Sequence, residues 1–323
     1  MKAVWYEKNG AAVEVLTVGD MPVPEPAPGE VRVRLHASGV NPSDVKSRRG
    51  RPMVGPRVIP HSDGAGIIEA VGEGIDQKRI GERVWVWNGQ WKRPFGTAAE
   101  YIALPAAQAV GLPEGVDFAA AACFGIPLLT AIHAVTLAEA GPGRTILVTG
   151  AASAVGHYAA QIATMAGARV IGTASSARAA HAKAAGAEIV DYKADDVAAR
   201  VLDMTGGKGV DAIIDMDLST TADLIPRGVL VSHGTYVCYG SNVSGPVTIS
   251  FPDFLFRCVD LRFFVVYELT AEERAAALQE AERLIAGGKL LHTVAARYPL
   301  DQAVAAHEAV EEGKVIGNVV LEM

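Results

Sequence analysis

A chain of 323 residues has room for about two domains, each with a substantial core. Half of it is hydrophobic and a fifth charged, and 36 acids against 29 bases leave a net charge of −7, so the composition predicts a soluble globular protein not built around a nucleic-acid surface. The opening MKAVWYEKNG lacks the apolar stretch of a signal peptide, and no apolar run approaches the roughly 18 residues of a membrane span. Cys123, Cys238 and Cys258 lie far apart in apolar contexts, and read as small buried hydrophobes in a reducing cytoplasm.

Residues 1 to about 120 read as β-rich. Strands are predicted at Lys2–Tyr6, Val13–Leu16, Glu30–His36, Ala65–Val71, Arg83–Trp87 and Ala98–Ala103. Several alternate apolar and polar residues, as half-buried antiparallel strands do. Met21–Pro28 is a proline-rich surface loop. Weak helical periodicity and many Gly and Pro breaks predict a compact, barrel-like sheet.

From about Ala119 the chain turns to Ala-rich helix, Phe118–Ala122 and then Leu128–Ala140. Thr145–Thr149 is a β-branched apolar run that predicts a strand buried on both faces. Gly150 ends it, and Val155, Tyr158, Ala159, Ile162 and Ala163 then recur at helical spacing before a second strand at Arg169–Gly172. Strand, tight turn, helix and strand open a dinucleotide-binding βαβ unit, which aims unpaired N–H groups and a positive dipole end at a pyrophosphate. The glycine pattern is reduced: Gly150 and Gly156 bracket Ala151, Ala152, Ser153, Ala154 and Val155. Small side chains still permit close approach, and the Ser153 hydroxyl can reach a phosphate or cap the helix; an ordinary strand-to-helix turn without nucleotide is the alternative. Further strands at Ala187–Val190, Val210–Asp215, Thr235–Tyr239 and Leu261–Tyr267 give a doubly wound, mostly parallel sheet. Helices follow at Glu272–Ala286, stopped by Gly287 and Gly288, and at Leu300–Glu312, with a last strand at Asn318–Leu321. The tail reads as a return to the first domain.

Three segments, Gly29–Asp44, Pro60–Gly66 (PHSDGAG) and Gly81–Val84, resemble the N-terminal domain of the medium-chain dehydrogenase/reductase superfamily. Gly150–Gly156, Pro299–His307 and Gly317–Leu321 are similar to its zinc-independent quinone oxidoreductase, or zeta-crystallin-like, branch. The resemblance implies a discontinuous GroES-like catalytic domain of residues 1–122 and 270–323, a Rossmann domain of residues 123–269, an active-site cleft between them, and a homodimer joined through the Rossmann sheet. Zinc-dependent relatives carry a cysteine where this chain has Asn41, and a histidine and a glutamate where it has Ser62 and Asp63. His61 alone cannot supply three converging ligands, so no metal is expected; it reads as a packed loop histidine or a substrate contact.

NAD-binding folds place an acid about twenty residues beyond the glycine turn, on the ribose 2′-hydroxyl. No acid lies between Glu139 and Glu188, and the second strand runs into Ser175, Ser176 and Arg178. Arg178 can bond a 2′-phosphate bidentately, or be only a solvated helix-start residue. The expected cofactor is NADPH. By the resemblance, Thr130, Tyr192, Tyr239, Gly240 and Asn318 join Gly150, Ala151, Ser153, Ala154, Val155, Gly156, Ser175 and Arg178 as cofactor-binding candidates, although Asn318 replaces a common lysine and Asp215-Met216-Asp217 lacks a usual glycine.

The catalytic candidates are Asn41, to position or polarise a substrate carbonyl or merely to make an Asn-Pro turn, with Asp44 and Arg51 on the same loop. Lys46 and Arg51 stand where relatives often have tyrosines, which hints at a polar or anionic substrate. The expected activity is zinc-independent hydride transfer from NADPH to a quinone or similar conjugated carbonyl. An enoyl-thioester or alkene reductase, or a non-enzymatic NADPH-binding crystallin-like protein, remain open.

Overall fold

A computed structural model describes residues 1–243 and 245–323, which divide into two compact units, Met1–Ile126 with His292–Met323, and Pro127–Leu291. In chain order the first unit opens with β1 (Lys2–Trp5), β2 (Thr17–Asp20), β3 (Glu30–Val40), β4 (Asp63–Val71), β5 (Arg83–Val86), β6 (Tyr101–Pro105) and β7 (Ala109–Gly111). The second unit supplies β8 (Thr145–Val148), β9 (Arg169–Thr173), β10 (Glu188–Val190), β11 (Val210–Asp215), β12 (Leu230–Cys238) and β13 (Asp260–Phe263). The chain then returns to the first unit with β14 (Val294–Pro299) and β15 (Asn318–Glu322).

In the first unit β1 pairs antiparallel with β2, and a seven-stranded sheet runs β14-β15-β3-β4-β5-β7 with β6 also on β3. Alternation along β3 and β4 sends Val31, Val33, Leu35 and Ile68 into one core with Val84, Val86 and Leu104. Val13–Leu16 is not a strand. Residues Ala12–Val15 make one helical turn, with Ala12 and Val15 buried and Val15 packed with Tyr6 and Val58. Four residues are too few for sequence to separate a period of two from one of 3.6, and burial decided. Ala98–Ala103 is a strand only from Tyr101.

In the second unit all six strands are parallel, in the order β10-β9-β8-β11-β12-β13. Ile146, Leu147 and Val148 are fully buried, as a central strand covered on both faces must be. Leu261–Tyr267 gives a shorter strand, because the chain leaves the sheet after Phe263 for a 3₁₀ turn at Val266–Glu268. The helix predicted at Leu128 begins with a π-helical turn, Phe124–Leu128, containing Pro127; Pro has no N–H for the regular ladder.

The return to the first unit comes at His292 rather than at 270. Helix Ala271–Ala286, with a Thr270–Glu273 capping box, buries Ala277, Ala281, Leu284 and Ile285, and it packs on helix Leu129–Leu137 of the second unit. Gln161 holds the end of this unit: its Oε1 accepts from the Leu291 N–H at 2.7 Å and its Nε2 donates to the Leu291 carbonyl at 3.2 Å.

Candidate active site

The strand order of the second unit reverses between β8 and β11, the place where doubly wound sheets bind ligands beyond their carboxyl ends. The two strand ends are tied there by the Thr149 hydroxyl, which donates to Asp215 Oδ1 at 2.6 Å. Gly150 follows with φ +63°, a left-handed turn that glycine adopts freely, and its N–H donates to Thr173 Oγ1 at 2.9 Å. A Cβ on Gly156 would lie 2.2 Å from the Gly150 carbonyl oxygen, so only a glycine lets helix Ala154–Met165 come this close to the turn. Ser153 caps that helix, its Oγ accepting from the Gly156 N–H at 3.0 Å. The N–H groups of Ala154 and Val155 lie ahead of the helical ladder, behind small side chains, and suit a phosphate.

Ser175 precedes the 3₁₀ turn Ser176–Arg178, where Arg178 is half-buried, and Tyr192 is exposed beyond β10. Sequence reading missed one group here. Asp191 is brought to this loop from β10, accepting from the Ser176 N–H at 2.8 Å and from its hydroxyl, which holds the carboxyl below its usual range. Tyr239 follows β12, its hydroxyl buried beside Ser153 without a well-aligned partner, and burial raises its phenol pKa. Gly240 packs against the Met216 carbonyl, and Thr130 is buried on helix Leu129–Leu137. Asn318 belongs to the first unit, where both its N–H and its Nδ2 donate to the Thr293 carbonyl, at 2.9 and 3.0 Å.

In the first unit Asn41 caps helix Pro42–Gly50 in a capping box: its side chain accepts from the Asp44 N–H, and its own N–H donates to Asp44 Oδ2 at 2.8 Å. Asn41 Nδ2 donates to Asp63 Oδ2 at 2.9 Å, and the same oxygen accepts from the Ile126 N–H at 3.0 Å. The amide is thus held on both sides, because Asp44 as well as Asp63 takes a hydrogen bond from the Asn41 side chain. Asn41 is a turn residue whose amide is fixed in place by two buried carboxyls. Asp44 is fully buried and pushed up to about 7 by desolvation, against which the backbone and side-chain hydrogen bonds of Asn41, and then the charge of Arg51, pull the other way. Burial and the neighbouring Asp44 raise Asp63 further, and its Oδ1 has no partner. Arg51 is exposed at the end of this helix.

Behind Asp63 lies a chain that sequence spacing does not reveal. His61 is fully buried at φ +75°, with Nδ1 2.9 Å from Ser38 Oγ and Nε2 2.9 Å from His307 Nε2. Ser38 Oγ is 2.8 Å from Thr97 Oγ1, whose hydroxyl donates to the Asp63 carbonyl at 2.6 Å. Since the Thr97 proton is committed, Ser38 donates to Thr97, His61 Nδ1–H donates to Ser38, and His307 Nε2–H donates to His61. Both imidazoles are neutral; burial holds His61 down to about 3 and His307 well below its normal value. The chain fixes the strained His61 backbone and, through it, the Asp63 that orients Asn41. Among the described residues no three His, Cys, Asp or Glu side chains converge to hold a metal.

Residues 27–114 match the alcohol dehydrogenase GroES-like domain, and residues 185–321 the zinc-binding dehydrogenase family. A quinone oxidoreductase of Pseudomonas aeruginosa is 35% identical over 95% of each chain. A 2-haloacrylate reductase of Burkholderia sp. is 30% identical over 99% of this chain and 98% of that protein. The structure of Escherichia coli quinone oxidoreductase complexed with NADPH covers 100% of both chains with a TM-score of 0.88 at 28% identity.

Proposed function

Because the chain belongs to the zinc-independent quinone oxidoreductase branch of the medium-chain dehydrogenase/reductase superfamily, we propose that it transfers hydride from NADPH to a quinone or a similar conjugated carbonyl. It is an NADPH-dependent oxidoreductase. The open N–H groups at Ala154 and Val155 take the pyrophosphate, and Arg178 with Ser175 takes the 2′-phosphate. Bound NADPH supplies the hydride; the protein's task is to orient the acceptor and stabilise charge developing on its oxygen.

The observation that carries the acceptor assignment is the Asn41 amide, fixed in orientation by the buried carboxyls of Asp44 and Asp63. A quinone oxygen tolerates negative charge, so an oriented neutral amide beside it suffices without a dedicated acid. A second reading, reduction of a conjugated carbon–carbon double bond in an acid, is favoured by likeness to the 2-haloacrylate reductase and by exposed Lys46, Arg49 and Arg51 beside Asn41's helix. The homodimer expected from sequence fits the free edge of β13, on which Phe263 is exposed, with Phe251, Leu255 and Phe256 exposed on the short helix that precedes it in the chain. All three cysteines are unpaired, which suits the cytoplasm.

An NADPH-oxidation screen across quinones, enones, enoyl-thioesters and 2-haloacrylate tests the reading. Quinones should support turnover, and Asn41→Ala should lower their kcat/KM by about ten- to a hundredfold with NADPH affinity unchanged. Turnover with 2-haloacrylate but no quinone would establish the second reading. NADPH binding without turnover on any acceptor would make the protein a non-enzymatic NADPH binder.

A further inference from the structure

β11 ends at Asp215, and Met216 and Asp217 follow it at the strand-order reversal. Met216 is wedged between two glycines. Its Sδ lies 2.4 Å from where a Gly150 Cβ would sit, and its carbonyl oxygen 2.7 Å from where a Gly240 Cβ would sit. Its N–H donates to Thr149 Oγ1 at 3.2 Å, the hydroxyl that ties β8 to Asp215. Met216 therefore joins the phosphate-binding turn to the segment that follows β12.

Asp217 holds that segment. It is 3% exposed, a burial seldom tolerated by a carboxylate without partners. Asn242 supplies two: its Nδ2 donates to Oδ2 at 2.8 Å and its N–H to Oδ1 at 3.2 Å. Ser219 supplies two more, its hydroxyl at 2.6 Å and its N–H at 3.3 Å, which caps the short helix Leu218–Thr221, and the Thr220 hydroxyl adds a longer one to Oδ2 at 3.4 Å. Burial pushes the Asp217 pKa up, but the bonds from Ser219 and Asn242 outweigh it and keep the group ionised. A charged, bidentate grip on one loop asparagine is more than a helix cap requires. Tyr239, three residues before Asn242, brings its hydroxyl beside Ser153 at the start of the phosphate-binding helix.

We propose that Asp217 is a positioning residue for NADPH: through Asn242 it latches residues 239–243 beside the Gly150 turn and so pre-shapes the crevice that the dinucleotide enters. The proposal rests on the assignment of NADPH to this unit. A latch already closed in the free protein spares the bound state the ordering of this loop, so its loss should appear in cofactor affinity before anything else.

The test separates the latch from the cap. Asn242→Ala removes the latch and leaves the Ser219 cap intact. Asp217→Ser keeps an oxygen to cap the helix but cannot accept two bonds from Asn242. NADPH dissociation constants are measured by cofactor fluorescence on the parent, both single variants and the double variant, with thermal unfolding alongside. Each single variant should weaken NADPH about five- to tenfold with little change in Tm, and the double variant should be no weaker than the poorer single. An Asn242→Ala protein that binds NADPH like the parent would overturn the proposal, as would losses that multiply in the double variant. A parent that fails to bind NADPH would overturn the cofactor assignment itself, a separate result.

Discussion

Gly156→Ala tests the geometry of the Gly150 turn, because two opposing effects meet at one atom. Gly156 lies in helix Ala154–Met165, where replacing a glycine by alanine ordinarily gains about 1 kcal/mol. Here the new Cβ would stand 2.2 Å from the Gly150 oxygen, 2.9 Å from the Gly150 carbonyl carbon and 3.0 Å from Ser153 Oγ. Two of these neighbours are backbone atoms, and Gly150 cannot retreat freely, since its N–H is bonded to Thr173 at 2.9 Å. Overpacking costs about 1–3 kcal/mol. Loss of the Thr173 bond adds about 0.5–1.5 kcal/mol. The clash should therefore win, for a net loss of about 1–3 kcal/mol, a fall of roughly 3–10 °C in Tm for a unit of this size. Gly50→Ala is the control: it ends helix Pro42–Gly50 with nothing within 4 Å of its Cβ position, and should be neutral or gain up to about 1 kcal/mol. Thermal and urea unfolding of both variants, with an NADPH titration, make the comparison. A Gly156→Ala protein as stable as the parent, with unaltered NADPH affinity, would refute the argument that this glycine exists for close approach.

Two other predictions concern charge. His61 is depressed to about 3 in the folded protein, so its contribution is present above pH 6.5 and is lost as pH falls toward 3, whereas Asp44, raised to about 7, contributes fully below pH 4 and loses that contribution as pH rises to 7. Between pH 4 and 6.5 the two slopes oppose one another, so Asp44→Asn should make stability rise more steeply with pH by up to about 1.4 kcal/mol per unit; urea midpoints that keep the parent's pH profile would show that Asp44 is not titrating as a buried acid. Arg178→Ala should reduce NADPH affinity about ten- to a hundredfold while changing that for NADH little, and equal losses for both cofactors, measured by calorimetry, would remove Arg178 from the 2′-phosphate.

Local chemistry was enough to read the βαβ opening of the second unit and the stop of its last helix from the sequence. The Thr145–Thr149 run, Gly150, the helical recurrence from Val155 and the Gly287-Gly288 stop are short-range signals, and each element formed close to where its pattern lies because period, capping and turn residues agree. Asn41 and Ser62 likewise displayed in sequence the substitutions that part this chain from its zinc-dependent relatives. Elsewhere the pattern was too short or the partner too distant. Ala12–Val15 became a helical turn because burial against Tyr6 and Val58, not alternation, set its period. Helix Ala271–Ala286 joined the second unit because its apolar face fits helix Leu129–Leu137, a match that amphipathicity announces without naming the partner. Tertiary structure alone decided that Asp191 would reach Ser176, that His307 would meet His61 across 246 positions, and that Asp217 would grip Asn242. The reason is common to all three. A hydrogen bond needs a donor and an acceptor within about 3 Å and aligned, and a residue's own neighbours in sequence say which groups it can offer but not which distant groups the packed sheet will bring to it.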